Sequence, residues 1–139
     1  GFDSQGKDSY DNTLSRYTIK SPGFYLVGSK NYAFLGFLSL HGGLNYSLEG
    51  GDGDHDPNIF AGMEKTVGSH LTIVGEYNLG WNDSHNQALG KGRGYLNLAI
   101  RLSIGDGLSI NANMKDILDN QHRVNFGNRE LIIEYIHLL

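Results

Sequence analysis

The stretch LSLHGGLNYSL, residues 38–48, sets Leu38, Leu40, Gly42, Leu44, Tyr46 and Leu48 against Ser39, His41, Gly43, Asn45 and Ser47 without a slip. Successive side chains of an extended chain point to opposite faces, so a period of two over this length predicts a β-strand with one apolar and one polar face. The pattern returns at 71–81, where Leu71, Ile73, Gly75, Tyr77, Leu79 and Trp81 oppose Thr72, Val74, Glu76, Asn78 and Gly80. It returns again at 95–104 and 108–115, with Leu96, Leu98, Ile100, Leu102 and Ile104, then Leu108, Ile110, Ala112 and Met114, forming the apolar rows. Less regular strands are expected at about 17–29, 58–66 and 129–138. In the last of these Leu131, Ile133 and Tyr135 face one way, and Glu130, Ile132, Glu134 and Ile136 the other.

Composition agrees with the period. Twenty glycines, 8 tyrosines and 6 phenylalanines beside only 2 prolines favour strands, tight turns and bulges. No run approaches the roughly 20 apolar residues that a membrane-crossing helix requires, which excludes a helical bundle in lipid. A net charge of -4, with 11 scattered Lys and Arg, argues against a nucleic-acid partner. The absence of cysteine removes disulfides and thiolate metal sites. Residues 1–139 suit a single all-β domain.

The connections alternate in length. Short ones are expected near 30–34, 67–69 and 105–107, and long polar ones at 49–57, 82–92 and 119–128. Outer-membrane barrels show this asymmetry, with short periplasmic turns and long external loops. If Ile104 and Leu108 share a face, Gly105-Asp106-Gly107 is a three-residue hairpin loop, with Gly107 suited to the left-handed region. The same rule applied to Val67-Gly68-Ser69 pairs Thr66 with His70, Glu64 with Thr72 and Met63 with Ile73.

A soluble barrel with an apolar interior also alternates, so the polar face decides. That face is mainly Asn, Ser, Thr, Gly and Ala with isolated charges, as in a crowded lumen, while the apolar face is nearly free of charge. Tyr46, Tyr77, Trp81 and Tyr135 lie near strand ends, where aromatic rings form interfacial belts. The expected architecture is therefore an antiparallel up-and-down transmembrane β-barrel of about seven to eight strands in the outer membrane of a Gram-negative bacterium, with membrane lipid as its partner. With the short turns periplasmic, the first and the last of the seven strands both run inward. The expectation is then an incomplete barrel, with an outward strand ahead of Gly1 and residues 1–16 as the end of that strand and an external loop. The alternative is an eighth strand folded from 1–16.

The segments GFDSQG (1–6), SPGFYLVGSKNY (21–32), LHGGLNYSLE (40–49), IFAGMEKTVG (59–68), EYNLGWND (76–83), GRGYLNLAIR (92–101) and NRELIIEY (128–135) cover most of the chain. Together they resemble the C-terminal part of a group of bacterial outer-membrane β-barrel proteins related to the YjbH-like family, which is associated with exopolysaccharide production. The resemblance implies a barrel with a structural, assembly or export role in the cell envelope, and polysaccharide or envelope proteins as partners. These segments are strand and turn signatures and include no catalytic motif.

Candidate chemistry is sparse. His41, Glu64, Glu76, Arg101, Lys115, Glu130 and Glu134 fall on the polar face, where filling the lumen and pairing charges, Arg101 with a neighbouring Glu, is the plainest reading. Asp52, Asp54 and Asp56 resemble the start of a calcium loop, but Pro57 and Met63 stand where Gly and Glu are needed, so a solvated acidic loop is expected instead. Ser39 and His41 share a face, as in barrel lipid hydrolases, yet it is the polar face and no third group orients the imidazole. The expectation is no enzyme, no cofactor and no metal, with a soluble barrel binding a small apolar ligand, or a lipid hydrolase, as the alternatives.

Overall fold

In a computed structural model of the chain, the described residues are 10–20, 22–85, 87–105, 107–122 and 129–136. Two very short strands, β1 (Tyr10–Asp11) and β2 (Arg16–Tyr17), pair with each other as a small separate hairpin. Seven further strands follow: β3 (Gly23–Ala33), β4 (Phe37–Ser47), β5 (Asn58–Val67), β6 (Leu71–Asn78), β7 (Tyr95–Ile104), β8 (Leu108–Met114) and β9 (Arg129–Tyr135). They form one antiparallel sheet in which each strand pairs with its neighbours in sequence, β3 and β9 lying at the two edges. The expected all-β, up-and-down arrangement is what the chain adopts. Residues 10–17 supply no eighth strand to this sheet; residues 1–9, on which the rest of the expectation for 1–16 falls, lie outside the described residues.

The register confirms the two faces across the whole sheet. One row runs Lys30, Leu40, Met63, Gly75, Leu98, Met114, Arg129, and the next Tyr32, Leu38, Lys65, Ile73, Ile100, Ala112, Leu131. The charges in these rows are confined: Lys30 and Arg129 sit on edge strands, and Lys65 directs its Nζ to the carbonyls of Phe34 and Leu35 in the first turn. The opposite face carries rows such as Asn31, Ser39, Glu64, Val74, Ala99, Asn113, Glu130. Close approach across this face is set at Gly43, where an added Cβ would come within 2.3 Å of the Leu26 carbonyl and 2.7 Å of the Phe60 ring. The aromatic ring takes the space a side chain would fill.

Several boundaries differ from the sequence reading. The strand expected at 71–81 stops at Asn78, where Gly80 in the left-handed region leads into the 3-10 turn Trp81–Asp83, and the strand expected at 129–138 is β9, Arg129–Tyr135, with 137–138 outside the described residues. The strand expected at 17–29 is β3, Gly23–Ala33. Pro22 has no N–H to give a ladder, and 17–20 are drawn away by other partners, while the polar run 28–31 continues the alternation to the turn at 34–36. The β5–β6 turn is 68–70, so Val67 pairs with Leu71 and Thr66 with Thr72, two residues from the expected register. A shift of two leaves every side chain on its face. The 105–107 turn pairs Ile104 with Leu108 as expected, with positive φ at both Gly105 and Gly107.

Burial is the reverse of an ordinary globular domain. Leu26, Leu44, Leu131, Ile133 and Tyr135 are more than half exposed, and the only buried hydrophobic residues among those described are Leu89 and Tyr95. The driest side chains are Arg16, Asp54, Asn58 and Asn120, each at most 1% exposed. The interior of this molecule is polar and lies at the loop end of the sheet.

Candidate functional site

Four segments converge beyond the loop end of the sheet: 10–20, 48–57, 79–94 and 115–122. The first begins with Asp11, whose Oδ1 accepts from Thr13 N at 2.9 Å and Leu14 N at 3.2 Å and so turns the chain back. Tyr10 and Tyr17 meet edge to face, 5.1 Å between centroids. This hairpin delivers Arg16 to the centre. Its Nη1 donates to Asp52 of the second segment and to Asp83 of the third, the latter at 2.8 Å. Its Nε and Nη2 donate to the carbonyls of Tyr17 and Thr18 at 3.0 and 3.1 Å.

The surrounding groups complete the set. Lys20 Nζ lies 2.9 Å from Asp52 Oδ1 and donates to the Asp54 carbonyl at 2.6 Å. Asp83 also accepts from Tyr95 Oη at 2.8 Å and Leu89 N at 3.0 Å. Asp54 Oδ2 accepts from His85 Nδ1 at 2.9 Å and Ser84 N at 3.1 Å, and its Oδ1 from Asp56 N. At the strand ends Asn58 Nδ2 donates to Asn78 Oδ1 at 2.7 Å, while Asn58 Oδ1 accepts from Trp81 N, at the start of a short 3-10 turn, Trp81–Asp83. The fourth segment is tied in by Asn120, whose Oδ1 accepts from Lys91 N and Arg93 N, and by Asp116, which accepts from Asn120 N and Gln121 N. Nearly every polar atom placed in this dry region has a partner, as such burial demands.

The electrostatics follow from these contacts. Burial pushes the Asp52 carboxyl upward, but the Lys20 hydrogen bond, the Asp54 N–H and the charges of Arg16 and Lys20 more than reverse this and hold it below its ordinary value. Burial likewise opposes ionisation of Asp54. The His85 hydrogen bond, together with the N–H groups of Ser84 and Asp56 and the charge of Lys20, brings it down to about 2. His85 is raised above 6.5, first by its hydrogen bond to Asp54 and then by the Asp54, Asp56 and Asp52 charges. Arg16 loses solvation, yet Asp83 and Asp52 raise it further, so it stays a cation.

This arrangement corrects the expectation of a solvated acidic loop at 52–56: Asp52 is 4% and Asp54 1% exposed. Nor do the three carboxylates converge as calcium ligands, because Asp52 is taken by Arg16 and Lys20. Asp56 stays exposed, its donor atoms within 4.8 Å of those of Asp54 and His85. Asp54 is bound to His85 and to the backbone N–H groups of Ser84 and Asp56.

The charges expected on the polar face do lie there, but Arg101 does not meet a glutamate. Its row neighbours are Thr72 and Asn111, and its Nε donates to Asn111 Oδ1 at 2.8 Å. Glu64 and Glu130 are two strands away in the adjoining row, and Glu130 accepts from Asn113 Nδ2 at 3.1 Å. His41 lies over Gly62, in the row that also holds Ser29 and Glu76. Ser39 falls between Asn31 and Glu64. Lys115 lies just past β8, bordering a shallow cavity with Glu76, Asn97 and Asn113. Glu134 is on β9 opposite Ser109.

Of the aromatic belt, Tyr46, Tyr77 and Trp81 stand at the loop end, and Tyr135 at the turn end. Sequence reading missed Phe24, which pairs with Tyr46, and Tyr32 and Phe34 at the turn end. Tyr32 and Phe34 fell in the connection expected at 30–34, and Phe24 lay in the first expected strand, whose faces were not assigned. Arg16 and Lys20 were missed because nothing in the sequence links Arg16 to aspartates 36 and 67 residues away, or Lys20 to Asp54, 34 residues away. Comparison with known proteins adds no relative: no family model, no curated protein and no solved structure matches the chain.

Proposed function

We propose that this chain forms part of the wall of a bacterial outer-membrane β-barrel, its apolar face against lipid and its polar loop cap at the external surface. The observation that carries this reading is the apolar face itself. It runs in register across seven strands, is broadly exposed, and ends in aromatic residues on both sides. Exposed apolar area on that scale marks an interaction surface. β4 has 11 residues, which at about 3.3 Å each and a tilt of about 40° cover roughly 28 Å of height, close to the ~25 Å band of such barrels. Lys65, reaching from the apolar face to the turn carbonyls, behaves as a cation at a lipid–water boundary. The role is structural or connected with export through the envelope. Its association with polysaccharide rests on the family resemblance alone.

Fractionation tests the reading. The chain should be recovered from outer membranes in detergent and migrate differently on gels before and after heating. Recovery as a monodisperse monomer from a detergent-free soluble fraction overturns the proposal and favours a soluble barrel with an apolar ligand.

A further inference from the structure

Where the second and third loop segments meet, three buried carboxylates share two buried cations, while Asp116 in the fourth segment is held by backbone N–H groups. Asp52, Asp54 and Asp83 are all less than 5% exposed, and they face two cations, Arg16 and Lys20. The third cation is the His85 imidazolium, whose Nδ1 lies 2.9 Å from Asp54. Arg16 stays a cation throughout the physiological range, whereas a histidine does not. Loss of that proton removes the cationic partner of Asp54 and leaves its buried carboxylate to the N–H groups of Ser84 and Asp56, a weaker compensation for burial.

The contact also has a mechanical position. Asp54 belongs to the 48–57 segment and His85 to the 79–94 segment, and the side of His85 away from Asp54 is open to solvent. From the 48–57 segment His85 faces Asp54, Asp56 and, farther off, Asp52. His55 of the same segment is turned onto Gly50. On its own segment Asp83 is directed to Arg16 and Tyr95, and from the 10–20 segment Lys20 is directed to Asp52 and the Asp54 carbonyl. Among these named groups the charges aimed at His85 are acidic.

We infer that His85 and Asp54 form a proton-dependent latch joining the second and third loop segments, closed when His85 is charged and loosened when it is neutral. The sign follows from proton linkage: a histidine that binds its proton more tightly in the folded state adds stability below its ordinary value, and that stability is lost as pH rises through the folded value. The cap is therefore tightest under mildly acidic external conditions and more open under alkaline ones. The inference concerns the cap alone and stands whether or not the apolar face meets lipid.

The chain has no cysteine, so Pro57→Cys and Gln87→Cys, both at exposed positions, place one spin label on each segment of the purified full chain. The inter-label distance distribution is expected to be narrow near about pH 5 and broad near about pH 8.5, with a midpoint above the ordinary histidine value. His85→Lys, a permanent cation, should stay narrow at both, and His85→Gln should lose the pH response. An unchanged distribution in the native background, or a response that survives in His85→Gln, overturns the latch. Because His85 is exposed, neither substitution disturbs a packed interior.

Discussion

Arg16 holds three pieces of chain together through one planar group. Its two carboxylate partners come from different loops, and its remaining N–H groups close the local turn. Removing one side of such a set strands the other side, so Arg16→Ala should cost about 3–5 kcal/mol in denaturant unfolding followed by the single tryptophan, Trp81. Arg16→Lys should recover only part of this, because an ammonium cannot meet both carboxylates and two carbonyls with fixed planar geometry. Acid provides a second residue-scale check. Asp54 is lowered from 3.8 to about 2, so its contribution is complete above the ordinary carboxylate value and disappears as pH falls through about 2. Trp81, whose backbone is tied to Asn58 and Ser84, should report loss of the cap in that window and not at pH 4–5. None of this is legible in the sequence. A polar loop looks the same whether water or a distant cation satisfies it, and the spacing GDGDHD says nothing of Arg16 or Lys20.

Strands and turns were far more legible than the cap. A period of two needs only a few consecutive residues, so β4, β6, β7 and β8 emerge from local pattern, and the seven-strand meander follows from short turns between them. Register is less secure for a definite reason: pairing β5 with β6 two residues off preserves both faces, so face parity cannot tell 67–69 from 68–70. Only the observed turn, with Gly68 at φ +64°, separates them. The two faces make opposing demands that substitution can read. Leu98→Arg, in the middle row of the apolar face, should cost about 2–4 kcal/mol when unfolding is measured from a bilayer, whereas Asn97→Arg, one residue away on the polar face, should cost much less. Equal costs at the two positions would remove the lipid-facing assignment. At Gly43 the limit is steric: Gly43→Val would drive a side chain into the Leu26 carbonyl and Phe60, and a loss of about 1–3 kcal/mol is expected by thermal unfolding.

At the scale of the molecule, two kinds of stabilisation occupy different ends. The sheet holds itself by neighbour pairing and leaves its apolar surface uncovered, while the cap draws 10–20 onto two later loop segments, the second of which holds the third. The two parts have very different separations along the chain. Each hairpin of the sheet joins residues close in sequence, but Arg16 and Asp83 are 67 positions apart, and Arg16 and Asp52 are 36 apart. Closing such long loops is entropically unfavourable until the intervening strands have already brought the ends together. The buried charge cluster is thus expected to form last. Cap substitutions should accelerate unfolding and leave the folding rate nearly untouched, whereas Gly43→Val in the sheet should slow folding. Stopped-flow measurement of both limbs separates these outcomes. Arg16 thereby acts in time as well as in space, engaging only once the strands between it and Asp83 are in register, so that a chain with a misaligned hairpin is left with an open and unfinished cap.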